Sequence, residues 1–131
     1  MGCGNGIVTI ELAKWTKGQV IGIDTDREAI TELNEEAQAC RLASRVKAIS
    51  ASIYDITFPP SSFDIIWAEG VMHLLDVKRC LDILKNIIKD GGFLVQHDTS
   101  RWMSANLQHY DAFGFDLLEE LPLPSGSWWD E

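Results

Sequence analysis

The residues best placed to do chemistry stand at the very start, in Met1-Gly2-Cys3-Gly4-Asn5-Gly6. Glycines at alternate positions permit positive φ and a closer backbone approach to a ligand than any Cβ would allow. Ile7 to Trp15 reads as a helix directly behind them, so the loop brings backbone N–H groups to a helix N-terminus, a setting for an anionic or strongly polar ligand. The spacing is Gly-x-Gly-x-Gly. A dinucleotide loop has Gly-x-Gly-x-x-Gly, and Ile7 stands where its last glycine belongs. Such a turn can also be purely structural. Its weight comes from two apolar runs downstream: Gln19-Val-Ile-Gly-Ile-Asp24, which ends on a carboxylate, and Phe63 to Ala68, which ends on Glu69-Gly70. Open α/β sheets place their ligands at such strand ends.

These groups need a scaffold, and the hydrophobic pattern describes one. Ile7, Val8, Ile10, Leu12 and Ala13 give the first helix its apolar face, and Lys17-Gly18 stops it. The run to Asp24 reads as a buried parallel strand. Thr25, three before Glu28, reads as a capping box opening a helix that runs to about Ala43, with Ile30, Leu33, Ala37 and Cys40 on one face. Arg45 to Ser50 is a strand by its β-branched residues. Ala51 to Ser62, with Pro59-Pro60, is a loop, and Phe63 to Ala68 is a further buried strand. Val77 to Lys89 repeats apolar residues at helical spacing, Asp90-Gly91-Gly92 stops that helix, and Phe93 to Gln96 is a strand followed by His97-Asp98. Trp102 to Tyr110 reads as a short helix, Phe115 to Leu121 as a strand, and Pro122 to Glu131 as a Pro-, Gly-, Ser- and Trp-rich tail. Strands and helices alternating at these lengths predict a three-layer, doubly wound α/β fold on a mainly parallel sheet.

The chain has 131 residues, which predicts one domain over 1–131. A hydrophobic fraction of 46% with 24% charged residues is that of an ordinary soluble globular protein. No apolar run reaches membrane-spanning length and no signal peptide is present, so no membrane partner and a cytoplasmic location are expected. The odd set Cys3, Cys40 and Cys80 suits a reduced compartment. A net charge of −9 repels a phosphate backbone, so no nucleic-acid partner is expected. A small neutral or cationic ligand fits better.

The order of these features resembles the class I S-adenosylmethionine-dependent methyltransferases, which have a Rossmann-like fold. Residues 1–98 carry the resemblance most strongly and 113–131 more loosely, as a partial C-terminal strand region. It rests on Gly-Cys-Gly-Asn-Gly, on Ile-Gly-Ile-Asp24, on Ser-Ser-Phe-Asp-Ile-Ile-Trp-Ala-Glu69, and on the helix ending Ile-Lys-Asp-Gly-Gly-Phe-Leu-Val. The resemblance implies S-adenosylmethionine as cofactor and assigns roles. Gly2, Cys3, Gly4, Asn5 and Gly6 would lie against its methionine part and ribose. Asp24, with Thr25 beside it, would accept from the ribose hydroxyls; the alternative for Asp24 is a helix N-cap. Ser52 takes the place where many relatives have an Asp for the adenine amino group, and Ile53 would pack on the ring. Asp55 could substitute for Ser52, or be a solvated loop charge. Ala68, Glu69 and Gly70 would line the methionine end.

Methyl transfer from a sulfonium needs an aligned nucleophile and exclusion of water more than it needs a base. His73, His97, Asp98 and Tyr110 are the titratable groups that could lie near the pocket; no catalytic residue is assigned, and His73 is the foremost candidate base. The Asp/Asn-Pro-Pro-aromatic motif of amino-methylating enzymes is missing, as is the Pro-Cys of cytosine-C5 enzymes. No zinc spacing or acidic magnesium cluster stands out, so no metal is expected. Trp102, Trp128 and Trp129 would serve as a substrate wall or as ordinary packing.

The expected function is therefore methylation of a small-molecule acceptor. A binding or vestigial module without turnover is the alternative, and a nucleotide-binding oxidoreductase, which Ile7 argues against, is a weaker one. The family also has a strand ahead of the glycine loop, central in its sheet, and a longer end, so this sequence reads as the fold shortened at both ends. The two strands flanking that central place would close up, take a segment from another chain, or be disordered. A homodimer is the expectation drawn from this.

Overall fold

The computed structural model describes residues 1–124. Among them the chain runs through α1 (Ile7–Trp15), β1 (Val20–Asp24), α2 (Arg27–Ala39), β2 (Val46–Ser50) and β3 (Phe63–Glu69). A 3-10 turn at Met72–Leu74 leads to α3 (Val77–Ile87), β4 (Ile88–His97) and α4 (Ser100–Ala112).

The strands are parallel, as expected of this α/β pattern, and they form two ladders. β1 lies beside β2 with Val20 opposite Val46 and Asp24 opposite Ser50. β3 lies beside β4 with Ile65 opposite Phe93 and Glu69 opposite His97, after an irregularity between Phe63 and Ile65. β1 and β3 do not pair with one another. The opening residues link them instead: the Met1 nitrogen donates to Trp67 O on β3 at 2.6 Å, and Cys3 N–H donates to Ile23 O on β1 at 3.0 Å. The direct closing-up of the two strands, one of the outcomes expected here, is therefore not what the chain does.

Two apolar clusters hold the elements. The larger joins Ile23, Ile53, Ile66, Ala68, Met72, Leu81, Leu84 and Tyr110 across β1, β3, α3 and α4. The smaller sets Ile10 and Ala13 of α1 against Leu33 and Ala37 of α2 and Val46 of β2. On α1 the buried positions are Thr9, Ile10 and Ala13, whereas Ile7 is 70% exposed and Val8 37%. The apolar face read from sequence is thus rotated, because only one narrow stripe meets Leu33.

Several boundaries also differ. The cap of α2 is not Thr25 but Asp26, whose Oδ1 accepts from Glu28 N and Ala29 N at 3.0 and 3.2 Å. α2 stops at Ala39 rather than near Ala43: Arg41 takes φ 58°, Leu42 N–H donates to Ala37 O and Arg41 N–H to Gln38 O, closing the end as a Schellman turn built without glycine. α3 ends at Ile87, and β4 starts at Ile88, earlier than Phe93. α4 extends two residues beyond each end of the predicted helix, with Thr99 as its cap. Phe115 to Leu121 is not a strand. Its paired leucines and paired glutamates give no consistent face, and Leu117, Leu118 and Leu121 are all exposed. Trp128 and Trp129 lie outside the described residues.

Candidate functional site

The glycine loop sits where the C-terminal ends of β1 and β3 meet. Gly2, Gly4 and Gly6 all have positive φ, at 62°, 51° and 87°. Their surroundings separate their roles. A Cβ on Gly2 would stand 2.8 Å from Val71 Cβ, and one on Gly6 would stand 2.1 Å from Leu33 Cδ1. These two are glycine because protein packs against them. A Cβ on Gly4 would meet nothing within 4 Å. The loop therefore turns an open backbone surface outward at Gly4, and no side chain caps the helix that follows. The first N–H groups of α1 have no partner within a helix, which leaves them to a ligand or to water.

Asp24 is joined to this loop directly. Its Oδ2 accepts from Gly4 N–H at 2.9 Å and its Oδ1 from Asp26 N–H at 3.0 Å. The N-cap alternative for Asp24 fails, since Asp26 caps the helix. Each carboxylate oxygen keeps a second lone pair, so the side chain is oriented by backbone while still able to accept from a ligand. Thr25, next to it, is exposed. Ala51 N–H donates to Asp24 O at 2.9 Å, which draws the end of β2 alongside. Ser52 follows there, its Oγ accepting from Tyr54 N–H at 3.2 Å. Ile53 is 6% exposed and belongs to the larger core, and Asp55 is exposed.

At the ends of β3 and β4, Gly70 N–H donates to His97 O at 2.9 Å. Glu69 is held on two sides: Oε2 accepts from the Trp67 indole N–H at 3.2 Å, and Oε1 lies 3.7 Å from His97 Nδ1, an ion-pair distance too long for a hydrogen bond. Ala68 is buried at 1% exposure. His73, on the 3-10 turn, meets Asp98 just past β4, with Nδ1 and Oδ2 3.1 Å apart. Burial raises the Cys3 thiol above its ordinary value and pushes Cys80 up to about 11. Neither thiol is thereby activated as a nucleophile.

The structure thus gathers Gly2 to Gly6, Asp24, Ser52 and Ala68 to Gly70 along one edge, the C-terminal ends of the parallel strands. Sequence reasoning missed two contacts. One is the pairing of His73 with Asp98, which lie 25 residues apart. The other is Arg45, whose guanidinium donates to Ala13 O, Thr16 O and Gly18 O at 2.8, 3.0 and 3.2 Å and so ties the end of α1 to β2. No local pattern marks either one.

Known proteins share this arrangement. A family described as a methyltransferase domain matches residues 1–96. The 27-O-demethylrifamycin SV methyltransferase of Amycolatopsis mediterranei is 28% identical over 99 residues, which is 75% of this chain and 36% of that protein. Among solved structures, the [4+2]-cyclase SpnF superposes with a TM-score of 0.80 at 21% identity, covering 90% of this chain and 51% of that one. Geranyl diphosphate C-methyltransferase from Streptomyces coelicolor A3(2), in complex with Mg2+, geranyl diphosphate and S-adenosyl-L-homocysteine, gives 0.70 at 18%, covering 84% and 45%. At these identities the structures speak for the fold alone. The chain spans about a third of the curated relative and about half of these solved chains. With three-quarters of its length matched by one family, and the glycine loop and Asp24 joined as that resemblance requires, the chain belongs to the methyltransferase domain family.

Proposed function

We propose that these residues form the cofactor site of an S-adenosylmethionine-dependent methyltransferase acting on a small-molecule acceptor. The observation that carries the reading is the bond from Gly4 N–H to the Asp24 carboxylate beside the uncapped start of α1. It sets an open backbone surface, unpartnered N–H donors and an oriented acceptor side by side, and a ribose with an aminoacyl chain has the matching donors and acceptors. Gly2 to Gly6 would hold the methionine part and ribose, Asp24 with Thr25 the ribose hydroxyls, Ser52 and Ile53 the adenine, and Ala68 to Gly70 the methionine end. When bound, the cofactor supplies a methyl group on a sulfonium. The protein's part is to orient it and keep water out. The names of the relatives, a rifamycin precursor and a prenyl diphosphate among their acceptors, support a small-molecule acceptor, as does the net charge of −9 against nucleic acid. Among the described residues no helix is long and apolar enough to cross a membrane.

Calorimetric titration with S-adenosylhomocysteine tests this. The chain should bind it, and Asp24→Ala should weaken binding by about 1.5–3 kcal/mol, the range for a hydrogen bond to a charged group. Equal affinity in the two proteins would remove Asp24 from the site.

A further inference from the structure

Next to the His73–Asp98 pair lies a hollow of about 440 Å³, lined by His73, Asp98, Thr99, Arg101, Trp102 and Ala105. Its walls combine an indole face and a methyl with two polar groups at one end. The Asp98 side chain is 1% exposed, whereas that of His73 is 32% exposed. Both Asp98 oxygens are engaged: Oδ2 with His73 Nδ1 at 3.1 Å, and Oδ1 as acceptor from Thr99 N–H at 2.9 Å. A buried carboxylate held this way can only accept, so Nδ1 of a neutral His73 carries the proton and the lone pair falls on Nε2.

We propose that this hollow binds the methyl acceptor, that the acceptor is an alcohol or phenol on an apolar frame, and that His73 is its general base with Asp98 as positioning residue. The proposal rests on the methyltransferase reading above and names the acceptor class it left open. The acceptor's O–H proton passes to His73 Nε2 as its oxygen bonds to the methyl carbon. The carbon–sulfur bond of the donor breaks with the electron pair left on sulfur, and the imidazolium then releases its proton to water. Arg101, at the rim, is the remaining charged group lining the hollow. A positioned base of this kind contributes about 10²–10⁴-fold in rate.

The test is nitrogen NMR of the chain labelled at its three histidines, His73, His97 and His109, with phenol as the probe. His73→Gln identifies the resonances of His73. In the wild type His73 should show the Nδ1–H tautomer, and phenol should shift its Nε2 resonance toward the hydrogen-bonded range. A purely structural pair would give the tautomer without the response to phenol. Asp98→Asn should abolish both, because a carboxamide does not fix that tautomer, while calorimetric affinity for S-adenosylhomocysteine stays within twofold. An Nε2–H tautomer in the wild type, or an Nε2 resonance indifferent to phenol, overturns the proposal even if the Asp98 variant fails to fold. Loss of S-adenosylhomocysteine binding by the wild type would instead strike the cofactor reading, so the two failures are distinguishable.

Discussion

Gly6→Ala is expected to be among the most damaging single substitutions in the chain. Gly6 has φ 87° and directly precedes α1, so alanine there carries a left-handed penalty of about 1–2 kcal/mol. The new methyl would also stand 2.1 Å from Leu33 Cδ1, 2.8 Å from Cγ and 3.0 Å from Cβ. Leu33 is fully buried and cannot swing into solvent, so overpacking adds roughly 1–3 kcal/mol. Together these approach the lower end of what a domain possesses, about 5 kcal/mol. Thermal unfolding should fall by about 10 °C or more, and the loop that presents Gly4 should lose its shape. An unchanged melting temperature would mean that the loop does not sit against α2 as described.

Leu33→Ala is the second large effect, and it interrogates the same contact from the other side. Leu33 is the largest side chain of the smaller core, and it meets both Gly6 and, through Cδ2 at 3.1 Å from where a Cβ would stand, Gly22. Removing it should cost about 2–5 kcal/mol, since the glycines around it cannot fill the space. The informative variant is the double one. In Gly6→Ala with Leu33→Ala, the alanine methyl occupies part of the cavity that the leucine leaves, and only the left-handed penalty remains of the first change. The combined loss should fall short of the sum of the single losses by about 1–3 kcal/mol, measured by chemical denaturation. Strict additivity would show that the two residues do not share a contact.

The parts of this arrangement that were legible in the sequence are those that local chemistry dictates. Glycines at alternate positions and an acid closing an apolar run announced the loop and Asp24, because positive φ and a strand-end carboxylate leave marks within a few residues. The parallel strands were legible for the same reason. What escaped depended on residues distant in sequence or on competition between neighbours. Asp26 won the cap over Thr25 because its carboxylate reaches two backbone N–H groups of the first turn. The end of α2 was invisible because Arg41, not glycine, takes the left-handed conformation. The pairing of His73 with Asp98 is made by the meeting of two loop ends, which no periodicity encodes. Residues 115–121 failed as a strand because apolar content without strict alternation does not define a face.

The central claim is that the loop Gly2 to Gly6 and the Asp24 carboxylate together receive S-adenosylmethionine. It is tested most directly by following backbone amide resonances during a titration with S-adenosylhomocysteine, which reports where the ligand lies rather than merely that it binds. The account predicts that the largest shifts fall on Gly4, Asn5, Gly6 and the first turn of α1, with Asp24 to Asp26 and Ser52 next, and that the exposed middle of α2 stays unmoved. Saturable shifts centred away from the loop, with Gly4 and Asp24 unaffected, would contradict it.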